Sequence, residues 1–184
     1  MHKKNIPTLL TISRFIFAIV VSGLLFLSTN YAVILTFVLF VLGSLSDALD
    51  GAFARRQSSR SKFGAFLDPI ADKFLVFLVL ISLVYHRDSK VLFILTIIII
   101  SREIFIMSLR EWMANSAEGT LLEVSYLGKI KTTIQMTGIS LIIVSPIIHL
   151  SYYFAFSIFI LIIGTTVGIY SAIKYLKESM IYIK

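Results

Sequence analysis

Six stretches of about twenty mostly apolar residues dominate this chain and restrict what it can fold into. They occupy residues 9–27, 31–49, 63–85, 91–113, 130–150 and 152–175. A helix of about 20 apolar residues is long enough to cross the hydrocarbon core of a bilayer. The apolar fraction of the chain is 58%, whereas soluble domains usually contain about 45–50% apolar residues. We therefore predict an all-α, polytopic integral membrane protein with six transmembrane helices, forming a single domain over residues 1–184.

The distribution of positive charge predicts how these helices are oriented. Most of the 17 Lys and Arg residues lie in the terminal segments or in the second-to-third and fourth-to-fifth connections. Only Arg87 and Lys90 fall on the opposite side. Because cytoplasmic loops carry an excess of Lys and Arg, we predict that both termini are cytoplasmic. The net charge of +7 and the apolar excess favour an anionic bilayer over nucleic acid as the partner. The predicted location is the inner (cytoplasmic) membrane of the cell.

Four aspartates lie at the ends of the second and third predicted helices. Asp47 and Asp50 are three residues apart, and Asp68 and Asp72 are four apart. Each spacing puts the two carboxylates on one face of a helix. The connection between the helices is short, so we expect antiparallel neighbours whose carboxylates converge just inside the cytoplasmic interface. Four converging carboxylates need cations, and oxygen ligands suit Mg²⁺ or Mn²⁺. Two such ions can clamp a diphosphate undergoing displacement.

Two other interpretations of the four aspartates are open at this stage. They can be solvated acids paired with nearby arginines, although that leaves their placement on two adjacent helix faces unexplained. They can also be the cation site of an ion transporter. Transporter sites usually lie near the bilayer midplane, whereas these acids lie at one interface. The absence of cysteine excludes a thiol nucleophile and a Cys zinc site.

The aspartates belong to a longer pattern, D-x2-D-G-x2-A-R-x8-G-x3-D-x3-D, in which every fixed position is filled. The eight fixed residues are Asp47, Asp50, Gly51, Ala54, Arg55, Gly64, Asp68 and Asp72. This pattern resembles that of the CDP-alcohol phosphotransferase family. The resemblance implies a six-helix membrane enzyme, often dimeric, with its active site facing the cytoplasm.

The resemblance also implies residue roles. The ligands of two Mg²⁺ or Mn²⁺ ions would be Asp47, Asp50, Asp68 and Asp72, and Asp72 would be the general base for the attacking hydroxyl. The CDP group would be bound by Asp47, Gly51, Ala54, Arg55 and Gly64.

A basic group on the fourth and fifth predicted helices favours an acceptor that carries its own phosphate. It comprises Arg102, Arg110, Lys129 and Lys131, and the lysines open a helix whose N-terminal N–H groups also attract anions. Alternatives stay open. Arg102 can pair with Glu103 and hold helices together, Arg110 can be an interfacial residue, and the lysines can be ordinary cytoplasmic flanks.

Several other segments resemble the bacterial family members that make phosphatidylglycerophosphate, and the similarity extends over essentially the whole chain. The segments are residues 5–11, 67–73, 101–104, 109–112 and 128–132. The resemblance implies transfer of the phosphatidyl group from CDP-diacylglycerol to sn-glycerol 3-phosphate. Inositol phosphate, serine and phosphatidylglycerol are alternative acceptors for the same chemistry.

A small-xxx-small pattern lies in the last predicted helix, from Gly164 to Gly168. Small residues at this spacing allow two helices to approach closely. The pattern is compatible with packing inside one chain or with a homodimer, which the resemblance also implies.

Overall fold

The computed structural model describes residues 6–27, 29–53, 62–115 and 126–180. Within these ranges it describes every side chain except those of residues 6–13, 46–53, 62–69, 72, 115 and 126–127. The regular structure in these ranges is entirely helical, which confirms the all-α prediction. The helices are α1 (Ile6–Leu24), α2 (Asn30–Phe53), α3 (Lys62–Arg87), α4 (Lys90–Asn115), α5 (Tyr126–Val144) and α6 (Tyr153–Met180), with a short 3₁₀ turn over Ser145–Ile147.

Polar residues in the connections end one helix and begin the next. The hydroxyl of Thr29 accepts a hydrogen bond from the Ala32 amide at 3.3 Å at the start of α2. The hydroxyl of Ser89 accepts one from the Leu92 amide, also at 3.3 Å, at the start of α4. Such caps satisfy N–H groups that have no partner inside the helix. Between α3 and α4 the backbone of Asp88 has φ of 42°, a left-handed conformation that Asp tolerates better than most residues and that ends α3.

Three of the described helices are long and apolar enough to cross a membrane. They span Lys90–Ala114, Gly128–Ile147 and Tyr153–Met180. Large apolar side chains on their outer faces, including Ile94, Ile104 and Phe159, are more than half exposed. Continuous apolar exposure on this scale marks a surface that meets lipid or another protein. These features are those of a membrane protein, and the full count of six spans stays a prediction.

The described helices fall into two compact units. The first contains α1, α2, α3 and the 3₁₀ turn, and the second contains α4, α5 up to Ile142, and α6. Each unit is treated below by itself. The prediction of one domain over residues 1–184 stays a prediction.

In the first unit, α1 packs along α3 and both helices touch α2. The Ser22 hydroxyl lies 2.5 Å from the Ser82 hydroxyl, and this hydrogen bond joins α1 to α3 away from water. The rings of Phe15 and Phe74 pack with centroids 4.8 Å apart. Buried hydroxyl pairs of this kind help to hold helices together where no water competes for the hydrogen bond.

Gly43 is the point at which α2 comes close to both of its neighbours. A Cβ atom at this position would lie 2.7 Å from Cε1 of Phe17 on α1 and 2.9 Å from Cδ2 of Leu75 on α3. Both distances are too short for carbon atoms, so an added Cβ would require these side chains to shift. The side of α2 that carries Gly43 therefore faces α1 and α3.

In the second unit, the glycines of α6 pack against α5. A Cβ atom at Gly164 would lie 2.8 Å from Cγ of Gln135 and 3.0 Å from the backbone nitrogen of the same residue. A Cβ at Gly168 would lie 3.1 Å from Cδ of Lys131. Of the two uses left open by the sequence, the structure gives these glycines the role of packing helices within one chain. The homodimer stays a prediction.

Candidate active site

The helix register brings the two aspartate pairs onto sides of α2 and α3 that face each other. Asp47 and Asp50 follow Gly43 by four and seven residues, so all three positions share one side of α2. Asp72 and Asp68 precede Leu75 by three and seven residues and share its side of α3. Since a Cβ at Gly43 would meet Leu75, these two sides are in contact. The convergence of the four carboxylates stays a prediction.

The first pair lies towards the C-terminal end of α2, and the second pair lies towards the N-terminal end of α3. Asp47 and Asp50 lie between Gly43 and the end of α2, and Asp68 and Asp72 lie between the start of α3 and Leu75. Gly51 lies in the last turn of α2 and Gly64 in the first turn of α3. The remaining residues of the predicted CDP site, Ala54 and Arg55, are outside the described residues.

The four aspartate positions suit a metal site in their donor chemistry. Carboxylate oxygens are hard ligands of the kind that Mg²⁺ and Mn²⁺ prefer. Among the side chains that the structure describes, which do not include these four, no group of three or more His, Asp or Glu residues could hold a metal ion. The match between the four aspartates and a Mg²⁺ or Mn²⁺ site therefore rests on residue type and on the register of α2 and α3.

The second unit contains a buried charged cluster that joins all three of its helices. Glu103 of α4 contacts Lys131 of α5, and the same oxygen, Oε1, accepts a hydrogen bond from Nη1 of Arg102 at 2.9 Å. The side chains of Glu103 and Lys131 are only 7% and 4% exposed. One carboxylate is thus shared by two cations, and these three residues together carry one surplus positive charge.

Arg102 is held by the protein through all three of its nitrogens. Besides the bond to Glu103, Nε donates to the Gly168 carbonyl oxygen at 3.1 Å, and Nη2 donates to the Ser171 hydroxyl at 3.4 Å. Gly168 and Ser171 are one turn apart on α6, so the guanidinium links α4 to α6. The pairing of Arg102 with Glu103, which the sequence suggested as an alternative, is therefore observed.

Arg110 has different surroundings, because its described partner is a neutral side chain. Nη2 donates to the Tyr175 hydroxyl at 3.0 Å, and the guanidinium carbon lies 5.2 Å from the centre of the same ring. The Nε atom is buried and has no hydrogen-bond acceptor within the described part of the protein. A buried N–H group without an acceptor is unfavourable by about 1–3 kcal/mol. This N–H group is therefore a candidate donor to an anionic ligand.

The two lysines at the start of α5 differ from each other. Lys129 is exposed, whereas Lys131 is buried with its aliphatic stem against Gly168. Lysine side chains can bury the stem while the ammonium group reaches a polar partner. Of the four predicted phosphate ligands, Arg102 and Lys131 are therefore brought together at Glu103, Arg110 lies against Tyr175, and Lys129 faces outward.

Comparison with known proteins identifies the family. The sequence profile of the CDP-alcohol phosphatidyltransferases matches residues 4–170, which reaches into both compact units. A protein of Haemophilus influenzae (strain ATCC 51907 / DSM 11121 / KW20 / Rd) is 38% identical over 175 residues, covering 95% of this chain and 93% of the relative. Proteins of Salmonella choleraesuis (strain SC-B67) and Shigella flexneri are each 34% identical over 175 residues, covering 95% of this chain and 94% of the relative. All three are named CDP-diacylglycerol–glycerol-3-phosphate 3-phosphatidyltransferase.

The chain belongs to the CDP-alcohol phosphatidyltransferase family.

Membership of this family decides between the two classes of protein that the sequence left open. The chain is a transferase of phospholipid synthesis, and the cation-transporter alternative is set aside. The family generally uses divalent metal ions, in agreement with the four aspartates.

Two polar residues of this phosphatidyltransferase were not predicted as part of any site. Glu103 had been considered only as a partner of Arg102, and the structure adds its contact with Lys131. Tyr175, near the end of α6, is 3% exposed and bonded to Arg110. A carboxylate within an apolar span is by itself a signal of function or of a buried partner. No comparable signal marks a tyrosine near a helix end.

Proposed function

We propose that this phosphatidyltransferase moves the phosphatidyl group from CDP-diacylglycerol to sn-glycerol 3-phosphate. The products would be phosphatidylglycerophosphate and CMP, on the route to phosphatidylglycerol. The proposal is carried by one observation, that relatives named for this activity match 95% of the chain at 34–38% identity. The match also covers 93–94% of the length of these relatives, so the similarity is not confined to a shared motif.

The donor site of this proposal lies on α2 and α3. Two Mg²⁺ or Mn²⁺ ions would be held by Asp47, Asp50, Asp68 and Asp72, and the CDP group by Asp47, Gly51, Ala54, Arg55 and Gly64. The bound ions would neutralise negative charge on the diphosphate and on the departing CMP. Gly51 and Gly64 lack Cβ atoms and would let the nucleotide approach the backbone. The facing registers of the aspartate positions support this arrangement.

Asp72 is the proposed general base. An alcohol is a weak nucleophile at neutral pH, so removal of its proton by a positioned carboxylate assists attack. The acceptor oxygen would form a bond to the β-phosphorus of CDP-diacylglycerol while its proton moves to the Asp72 carboxylate. The bond between that phosphorus and the bridging oxygen breaks, and CMP leaves with the electron pair.

The acceptor's phosphate would be bound by the basic residues Arg102, Arg110, Lys129 and Lys131. Arginine suits this role because its planar fork of donors matches a phosphate in geometry and charge. The buried Nε of Arg110 gives this member of the set the strongest support. Its present partner, the Tyr175 hydroxyl, carries no charge that would compete with a phosphate.

The proposed setting is the inner membrane, with six spans, both termini and the active site on the cytoplasmic side, and a homodimer as the assembly.

The predicted orientation can be tested by thiol labelling, because the chain has no cysteine. Single cysteines at Lys3 and Asp88 can therefore be labelled with an impermeant thiol reagent from either side. Labelling of both positions from one side would overturn the predicted orientation.

The reaction is tested by measuring CMP release from purified protein with CDP-diacylglycerol and Mg²⁺. The acceptors to compare are sn-glycerol 3-phosphate, inositol 1-phosphate, serine and phosphatidylglycerol. We expect CMP release only with glycerol 3-phosphate. Release with another acceptor would retain the chemistry and refute the proposed substrate, and no metal-dependent release with any acceptor would refute the reaction.

A further inference from the structure

The arginines of α4 differ in what compensates their charge. Arg102 is bonded to a carboxylate, a carbonyl oxygen and a hydroxyl, one at each nitrogen. Arg110 is bonded to the hydroxyl of Tyr175 and stacked on its ring, and its buried Nε has no acceptor among the described residues. Arg102 therefore also holds α4 and α6 together, whereas Nε of Arg110 has no acceptor among the described residues.

We propose that Tyr175 is a positioning residue that orients the guanidinium of Arg110 towards the phosphate of the acceptor. This inference rests on the proposed function, since it assumes that the acceptor carries a phosphate. It assigns the acceptor's phosphate chiefly to Arg110. It also gives Tyr175 a role in substrate affinity, which the position of this residue on an apolar helix does not suggest.

The physical basis is that Tyr175 restricts the rotamers of the flexible Arg110 side chain before a ligand binds. An unrestrained arginine loses up to about 2 kcal/mol of rotamer freedom when a ligand orders it. Tyr175 is 3% exposed and fixed in α6, so its ring and hydroxyl offer two contacts in a defined geometry. A guanidinium held in advance of binding leaves Nε placed to donate to a phosphate oxygen, a charge-assisted bond. Preorganisation of this kind raises affinity by lowering the cost of ordering.

The test is a double-mutant cycle with glycerol 3-phosphate as the varied substrate. Tyr175→Phe removes one oxygen and keeps the ring, so the stacking contact and the packing of α6 are preserved. We expect this change to raise the KM for glycerol 3-phosphate on the order of tenfold, the size typical of one hydrogen bond to a charged group. The KM for CDP-diacylglycerol and the melting temperature should change little. In an Arg110→Ala background, Tyr175→Phe should have no further effect on the acceptor KM.

Tyr170→Phe is the matched control, because Tyr170 lies on the same helix and is 63% exposed. It should leave both KM values unchanged. An acceptor KM in Tyr175→Phe equal to that of the wild type would overturn the proposal. So would an effect of Tyr175→Phe that persists in full when Arg110 is already alanine, because the tyrosine would then act through packing.

Arg110→Lys provides a second test, in which Tyr175 itself is not substituted. Lysine keeps the charge but cannot stack a planar fork on the ring while donating to the hydroxyl. We expect it to raise the acceptor KM by about tenfold, and an unchanged KM would mean that orientation is irrelevant. A wild-type enzyme that releases no CMP with glycerol 3-phosphate would instead refute the proposed function, so the two failures are distinguishable.

Discussion

Replacing Glu103 by glutamine removes one negative charge from between α4, α5 and α6 while keeping the size and shape of the side chain. In the wild-type protein Oε1 of Glu103 serves both Arg102 and Lys131. The glutamine carbonyl can accept a hydrogen bond but brings no charge. Arg102 would keep its bonds to the Gly168 carbonyl and the Ser171 hydroxyl, whereas Lys131 would lose the negative charge of Glu103.

The expected magnitude follows from the burial of this cluster. The side chains of Arg102, Glu103 and Lys131 are 11%, 7% and 4% exposed, so solvent can compensate little of the lost charge. Breaking a buried ion pair by removing one partner destabilises a protein by about 3–5 kcal/mol. For a chain of this size, each kcal/mol lowers the melting temperature by roughly 2–4 °C. We therefore expect Glu103→Gln to melt roughly 6–20 °C below the wild type.

The assay is thermal unfolding of the purified protein in detergent, with Glu178→Gln as the matched control. Glu178 lies 3.8 Å from Lys174 on α6, and both side chains are about half exposed. An exposed pair of this spacing contributes only about 0.3–0.5 kcal/mol, so the control should melt within about 2 °C of the wild type. A double variant, Glu103→Gln with Lys131→Met, should recover part of the loss because it also removes the buried ammonium group whose charge the carboxylate balanced.

Equal melting temperatures for Glu103→Gln and Glu178→Gln would refute this reasoning. They would mean that the carboxylate does not compensate the buried charges of the second unit. A double variant less stable than Glu103→Gln alone would also contradict it, since removing the buried ammonium group should relieve the destabilisation.

The other predictions concern turnover, substrate affinity and helix packing. Asp72→Asn should abolish CMP release while keeping much of the nucleotide binding, whereas Asp88→Asn, in an exposed turn that Asn also tolerates, should leave turnover unchanged. Arg110→Ala should raise the KM for glycerol 3-phosphate by at least about tenfold and leave that for CDP-diacylglycerol unchanged, as measured by initial rates. Gly164→Ala should lower the melting temperature by several degrees, because its Cβ would overlap Gln135, whereas Gly23→Ala, where a Cβ meets nothing within 4 Å, should not.

The helices could be predicted from the sequence because each is a long apolar segment bounded by polar residues. The bounds differ where local chemistry outweighs apolarity. The third predicted segment ends at residue 85, but α3 continues to Arg87 and stops where Asp88 adopts its positive φ. The fifth runs to residue 150 in the prediction, whereas α5 ends at Val144 and gives way to a 3₁₀ turn that contains Pro146. Proline lacks the N–H group that a continuing α-helix requires.

The helix faces of the proposed donor site could be predicted more readily than the contacts of the proposed acceptor site. The spacing of Asp47, Asp50, Asp68 and Asp72 defines two helix faces from sequence distance alone. The contacts of Lys131 and Arg110 depend instead on how α4, α5 and α6 pack. That packing requires Gly164 and Gly168, which allow α5 to approach α6 closely enough for Lys131 to reach Glu103. Sequence distance does not determine such an approach.

The charges of Arg102, Glu103, Lys131 and Arg110 bear on the choice of acceptor. Arg102 and Lys131 share one carboxylate and leave one surplus positive charge. Arg110 adds a second, and the neutral Tyr175 contacts it among the described residues. Their partners on α6 lie between Gly168 and Tyr175, within two turns of helix. A phosphate monoester carries about −1.5 to −2 charges at neutral pH, close to this surplus. Glycerol 3-phosphate and inositol phosphate both meet the requirement. Serine has no net charge and would leave the surplus uncompensated, so the charge balance favours a phosphorylated acceptor over serine.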